Sequence, residues 1–165
     1  MIKRFFLLLL PLLFLSACDD APSSKSMGID AKTLVLKSVD NKDYKLSWRI
    51  DTPVILNVWA TWCAPCVKEL PSLIKLDKNP EFAVLAVSID NNPAVIKNFL
   101  TEYGFEELTV VWDKNGQNIR NSLGLKGVPT TYILNKDQMV VGIEQGERDW
   151  NHPDMIKKIK AYLHE

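Results

Sequence analysis

The chain has 165 residues, 47% of them hydrophobic and 24% charged, and its 20 basic and 20 acidic side chains cancel to a formal net charge of zero. That length holds one ordinary domain with enough chain for a real core. The balanced charge, with no basic face, argues against a nucleic-acid partner.

Met1 to Ala17 opens with Lys3 and Arg4, continues through an apolar stretch from Phe5 to Leu15 and ends in small residues, the pattern of an export leader. The stretch contains Pro11 and is shorter than the roughly 18 apolar residues that a membrane span wants. Its end, Leu15-Ser16-Ala17-Cys18, resembles the bacterial lipobox, which implies cleavage before Cys18 and lipidation of that cysteine. Asp19 resembles the signal that retains such lipoproteins at the inner membrane. At ~0.8 kcal/mol per buried methylene, several acyl chains make a stable anchor. A plain cleaved leader with Cys18 as a free thiol is the alternative. Cleavage removes two basic residues and no acid, so 20 and 20 become 18 and 20, a net charge of about −2. Residues 18–28 then form a lipidated tether, with Ala21 to Gly28 small, polar and Pro-containing, and the folded domain occupies 29–165.

Thr33 to Ser38 and Tyr44 to Trp48 alternate apolar and polar residues around Asn41-Lys42-Asp43 and predict a β-hairpin. A βα rhythm follows: a buried strand over 54–60, a helix over 63–77, a strand over 82–89, a helix over 94–103 and a strand over 109–112. This order argues for a largely parallel inner sheet covered by helices. A short helix is expected over 117–123, then a second hairpin from Thr130 to Leu134 and Met139 to Ile143, turning at Asn135-Lys136-Asp137. The last helix, Pro153 to Leu163, puts Met155, Ile156, Ile159 and Leu163 on one face.

Trp62-Cys63-Ala64-Pro65-Cys66 places two thiols two residues apart between the apolar strand and the first helix. Unpaired amides and the positive end of the helix dipole favour the thiolate of Cys63, the reactive form. A disulfide so short closes almost no loop, so it serves chemistry better than stability. A structural zinc site would need two more Cys or His ligands at close spacing, and they are absent from the sequence. Pro65 fits a first helical turn. Pro71 lies inside the helical pattern and should either kink the helix or end it. Trp59 is expected in the core, and His152 and His164 on the surface.

From Asn57 to Cys66, through Glu69-Leu70-Pro71, and again from Gly127 to Leu134, the chain resembles the thioredoxin superfamily, in its tethered TlpA, ResA and CcmG-like branch. The resemblance implies an α/β thioredoxin fold: a central mixed sheet flanked by helices, with an N-terminal β-hairpin and a central βα insertion. It implies a thiol-disulfide oxidoreductase with no cofactor beyond the Cys63/Cys66 disulfide, Cys63 being the exposed nucleophile and Cys66 the buried resolving thiol. Ala64 and Pro65 would tune the potential, and Trp62 would shield the disulfide. Val128-Pro129 matches the superfamily's cis-proline site, where the backbone of Val128 is free to pair with an extended substrate. Glu69 matches an acid of the branch, with a candidate role in proton management; a solvated surface glutamate is the other reading. Asn57 stands where thioredoxins proper carry a buried acid.

Taken together, the resemblance implies an inner-membrane, lipid-anchored protein on the periplasmic side, reducing protein disulfides in cytochrome c maturation or metal-site assembly. Electrons would come from a membrane thiol transporter. A disulfide-forming oxidase is the alternative within redox chemistry, and a copper-binding chaperone using both thiolates is the alternative outside it.

Overall fold

The computed structural model describes residues 27–46 and 51–164. The leader, Cys18, most of the tether and the far end of the first hairpin at Ser47 and Trp48 lie outside them.

Among the described residues seven strands form one sheet: β1 (Val35–Ser38), β2 (Asp43–Lys45), β3 (Val54–Trp59), β4 (Ala83–Ser88), β5 (Val110–Trp112), β6 (Thr130–Leu134) and β7 (Val140–Gln145). The described residues also form four α-helices, α1 (Ala64–Asp77), α2 (Pro93–Tyr103) and α3 (Gln117–Leu123) between strands and α4 (Pro153–His164) after the last. The spatial order is β2-β1-β5-β4-β3-β6-β7. Only the inner β5, β4 and β3 run parallel; β6 and β7 add on antiparallel, and the N-terminal hairpin continues the sheet by pairing Lys37 with Trp112.

Every residue of β3, β4 and β6 is buried, which explains why these segments are mostly apolar on both faces rather than alternating, with Asn57, Ser88, Thr130 and Thr131 as the buried polar members. Local chemistry sets their ends. Asn92 Oδ1 accepts from the Ala94 amide at 2.9 Å and caps α2, whose other end closes on Gly104 in the left-handed region. Asn135 Oδ1 accepts from the amides of Asp137 and Met139, both at 3.0 Å, and shapes the β6–β7 turn. Helix α4 packs on β6 and β7 with Ile159 fully buried and Met155, Ile156 and Leu163 against the core, the face its periodicity predicts. Pro71 does not end α1, which runs on to Asp77.

Candidate active site at the end of the central strands

Strand β3 delivers the chain to the site. After Trp59, which is fully buried, a tight turn in which the Cys63 amide donates to the Ala60 carbonyl at 3.1 Å sets Cys63 at the N-cap of α1. Pro65 sits in the first turn, where its missing N–H costs nothing, and the Cys63 side chain makes no cap hydrogen bond. Cys63 and Cys66 are joined by a disulfide, S–S 2.05 Å. Cys66 is 0% exposed and Cys63 6%. The expected order of exposure holds, but Cys63 is buried rather than open in this oxidised form, because the bond ties its sulfur to a fully covered partner. The exposed members of the motif are Ala64, Pro65 and Trp62, the last 67% exposed, so its indole stands out beside the disulfide.

The register Val58↔Thr130 brings the start of β6 to the same end of the sheet. The peptide bond between Val128 and Pro129 is cis. The loop is tied by Thr130 Oγ1 donating to the Gly127 carbonyl at 2.7 Å and by the Gly146 amide donating to the Pro129 carbonyl at 3.0 Å. Among the described residues nothing pairs with the backbone of half-buried Val128. Its N–H and C=O are available to a strand laid across the site.

Glu69 is not a solvated surface residue. One helical turn after Cys66, it is 1% exposed. Its Oε1 accepts from Asn57 Nδ2 at 2.7 Å, and its Oε2 accepts from the Arg148 amide at 3.1 Å and from Trp150 Nε1 at 3.0 Å. Burial pushes its carboxyl above the usual carboxylate range, despite the opposing donors Trp150, Asn57 and Arg148. Asn57, fully buried on β3, also donates to Thr131 Oγ1 at 2.9 Å, while its Oδ1 is buried with no hydrogen-bond partner. Sequence reasoning missed Thr131, Arg148 and Trp150. One signal was there: a tryptophan in the polar stretch from Gln145 to Asn151 has no reason to be exposed, and Trp150 is 0% exposed. His152 and His164 are on the surface as expected.

A disulfide-bonded cysteine pair at a helix N-terminus, a cis-proline loop at the same end of the sheet and a buried acid on the same helix define a thioredoxin-fold thiol-disulfide oxidoreductase. The chain belongs to the Redoxin family, whose profile matches residues 18–163. It is 33% identical to the thiol-disulfide oxidoreductase ResA of Bacillus thuringiensis over 125 residues, covering 74% of this chain and 71% of that one. ResA of Bacillus subtilis is 32% identical over 126 residues, with 74% and 69% covered. A crystal structure from Chlorobium tepidum, provisionally named thiol:disulfide interchange protein DsbE, superposes with a TM-score of 0.71 at 29% identity, covering 86% of this chain and 99% of that one. The protein is a protein-disulfide oxidoreductase of the thioredoxin superfamily, similar to TlpA, ResA and CcmG.

Proposed function

We propose that the protein is a reductant of protein disulfides, held by a lipid on Cys18 at the periplasmic face of the inner membrane and serving cytochrome c maturation or metal-site assembly. In the reduced form the Cys63 thiolate attacks one sulfur of a target disulfide. The Cys63–target S–S bond forms, the target's own S–S bond breaks, and the displaced sulfur leaves as a thiolate that takes up a proton. Cys66 then gives up its proton and attacks Cys63 Sγ, the mixed disulfide breaks, and the second target sulfur is released. Two electrons pass to the target and the Cys63–Cys66 disulfide remains. The two-residue spacing makes the second attack intramolecular and fast. Glu69, one turn from Cys66, is the residue for the Cys66 proton. A membrane thiol transporter is the electron donor that such a cycle requires in an oxidising compartment.

The observation that carries the reductive direction is the buried carboxylate of Glu69 on the helix that bears both cysteines. Negative charge there opposes the helix dipole and disfavours the thiolate, and a less favoured reduced form is a stronger reductant. Strong oxidants of this superfamily have the opposite bias, a stabilised reduced form. The test is the reduction potential of the Cys63/Cys66 couple in the purified chain, equilibrated against glutathione buffers. A value of about −250 mV or lower supports the reductant; about −120 mV makes the protein an oxidant and removes the assembly role. The anchor has its own test: Cys18→Ser is expected to release the protein from the membrane, and its retention there would end the lipid reading.

A further inference from the structure

We propose that a groove running from Trp62 to Arg120 is a subsite that reads an acidic side chain on the substrate polypeptide, on the side of the target cysteine away from Val128. The proposal rests on the thiol-disulfide exchange described above.

Strand register supplies the layout. Trp59 pairs with Ser88, Ser88 with Trp112, and Val58 with Thr130. The loops after β5, β4 and β3 and the one before β6 therefore stand side by side at one end of the sheet, with Cys63 at the end of the β3 loop. A polypeptide paired with Val128 and passing the disulfide continues over Trp62 toward the loops of β4 and β5. There it meets a groove of about 290 Å³ lined by Trp62, Ile89, Asp90, Asn91, Asn115 and Arg120.

The cation in this groove is held in place. Arg120 Nη1 donates to the Asn115 carbonyl at 2.9 Å. That carbonyl is presented by two successive left-handed residues, Asn115 at φ 57° and Gly116 at φ 67°. A Cβ on Gly116 would stand 3.0 Å from Ile89 Cγ2 and 3.4 Å from Arg120 Nη1, so this close approach needs glycine. The carboxylate of Asp113, 2% exposed, anchors the turn by accepting from the Asn118 amide at 3.2 Å, Asn118 Nδ2 at 3.0 Å and the Ile119 amide at 2.9 Å.

The charge so positioned has no partner of its own. Among the described residues, neither exposed Arg120 nor Lys114 in the same turn makes an ion pair. The acid lining the groove, Asp90, does not serve. It is 3% exposed, and its oxygens already accept from the Thr61 amide at 3.1 Å, Thr61 Oγ1 at 2.8 Å and Ser88 Oγ at 2.7 Å. A planar guanidinium fixed at one end matches a carboxylate, and the exposed indole of Trp62 gives the neighbouring side chain an apolar surface to cover.

The experiment uses the reduced full chain and peptides whose single cysteine is blocked as a mixed disulfide with 2-mercaptoethanol. The peptides differ only in Glu or Lys three residues to either side of the cysteine. Exposed ion pairs change such a rate by about two- to fivefold. The wild type is therefore expected to react about fivefold faster with the Glu peptide than with the Lys peptide on one side of the cysteine, the ratio shrinking as salt is added. R120Q should bring the ratio near one and R120E should invert it, while the rate toward neutral 2-hydroxyethyl disulfide stays unchanged. An unaltered Glu/Lys ratio in R120E overturns the subsite. So does a loss shared by the neutral disulfide, because Arg120 would then act on Cys63 and not on the substrate. If the wild type reacts with none of these disulfides, the exchange reading itself fails, and the subsite with it.

Discussion

The side-chain amide of Asn57 donates across 2.7 Å to the carboxylate of Glu69, joining the strand that leads into the cysteine pair to the helix that carries it. Two further donors come from the segment between β7 and α4, and the same Asn57 nitrogen reaches Thr131 on β6. Two separate stretches of chain thus converge on the acid of α1, and among the described residues no cation pairs with it. The carboxylate is satisfied by dipoles, and its charge is left uncancelled.

Glu69→Gln should therefore change the pH dependence of stability. The folded-state pKa is raised above the ordinary 4.5 by burial. A raised pKa means that the contribution is fully present below about pH 4.5 and is lost as pH rises through the folded-state value. The variant should not lose stability over that window, and rotation of the Asn57 amide would turn its partnerless Oδ1 toward the new amide donor. Denaturant midpoints between about pH 4.5 and 8 measure this; parallel profiles for the two proteins would show that the Glu69 charge does not act on stability.

The same substitution reports on the thiol. With the negative charge gone, the pH midpoint for iodoacetamide alkylation of Cys63 in the reduced protein should fall. An unmoved midpoint would make Glu69 a structural residue only.

Trp150→Phe deletes the indole donor to Glu69 Oε2 and part of a fully buried ring. The expected loss is about 2–4 kcal/mol, combining an unmet acceptor with a cavity. The loss should be larger at pH 8 than at pH 5, since the ionised carboxylate needs the donor more. Chemical denaturation at both pH values checks it, and an equal loss at each would assign the effect to packing alone.

Cys66→Ser should accumulate a mixed disulfide between Cys63 and a protein substrate, visible on a non-reducing gel and lost on adding thiol. Cys63→Ser should not. Trapping by the second variant in place of the first would reverse the two thiol roles.

Gly142→Ala probes the packing of α4 on β7. A Cβ there would lie 2.7 Å from Cγ of Tyr162, whose hydroxyl is held by Glu144 at 2.6 Å, so the ring cannot simply swing away. Overpacking of this kind costs about 1–3 kcal/mol. Combining it with Tyr162→Ala should recover most of that cost, and additive losses in the double variant would show that the ring is not what the methyl meets.

The strands, helices, turn residues and cysteine motif could be read from the sequence because each is encoded by residues close together in the chain. The run Val54 to Trp59 is apolar on both faces but for Asn57, Asn92-Pro93 starts a helix, and Cys63 and Cys66 are one helical turn apart. The Asn115-Gly116 turn that presents Arg120 carries a local signal, Asn-Gly with Asp113 two residues before it, that was not used; only its close approach to Ile89 depends on the tertiary structure.

Glu69 shows the boundary most plainly. As a residue between Lys68 and Leu70 it fits either a solvated helix face or a buried acid, and local pattern cannot choose. Its hydrogen-bond donors lie 12, 79 and 81 residues away, so only the folded chain, with β3 and the segment between β7 and α4 brought against α1, closes water off from the carboxylate. The thiol chemistry is local and was written in five consecutive residues; the environment that tunes it is a sum over distant ones, and burial exists only once they have met.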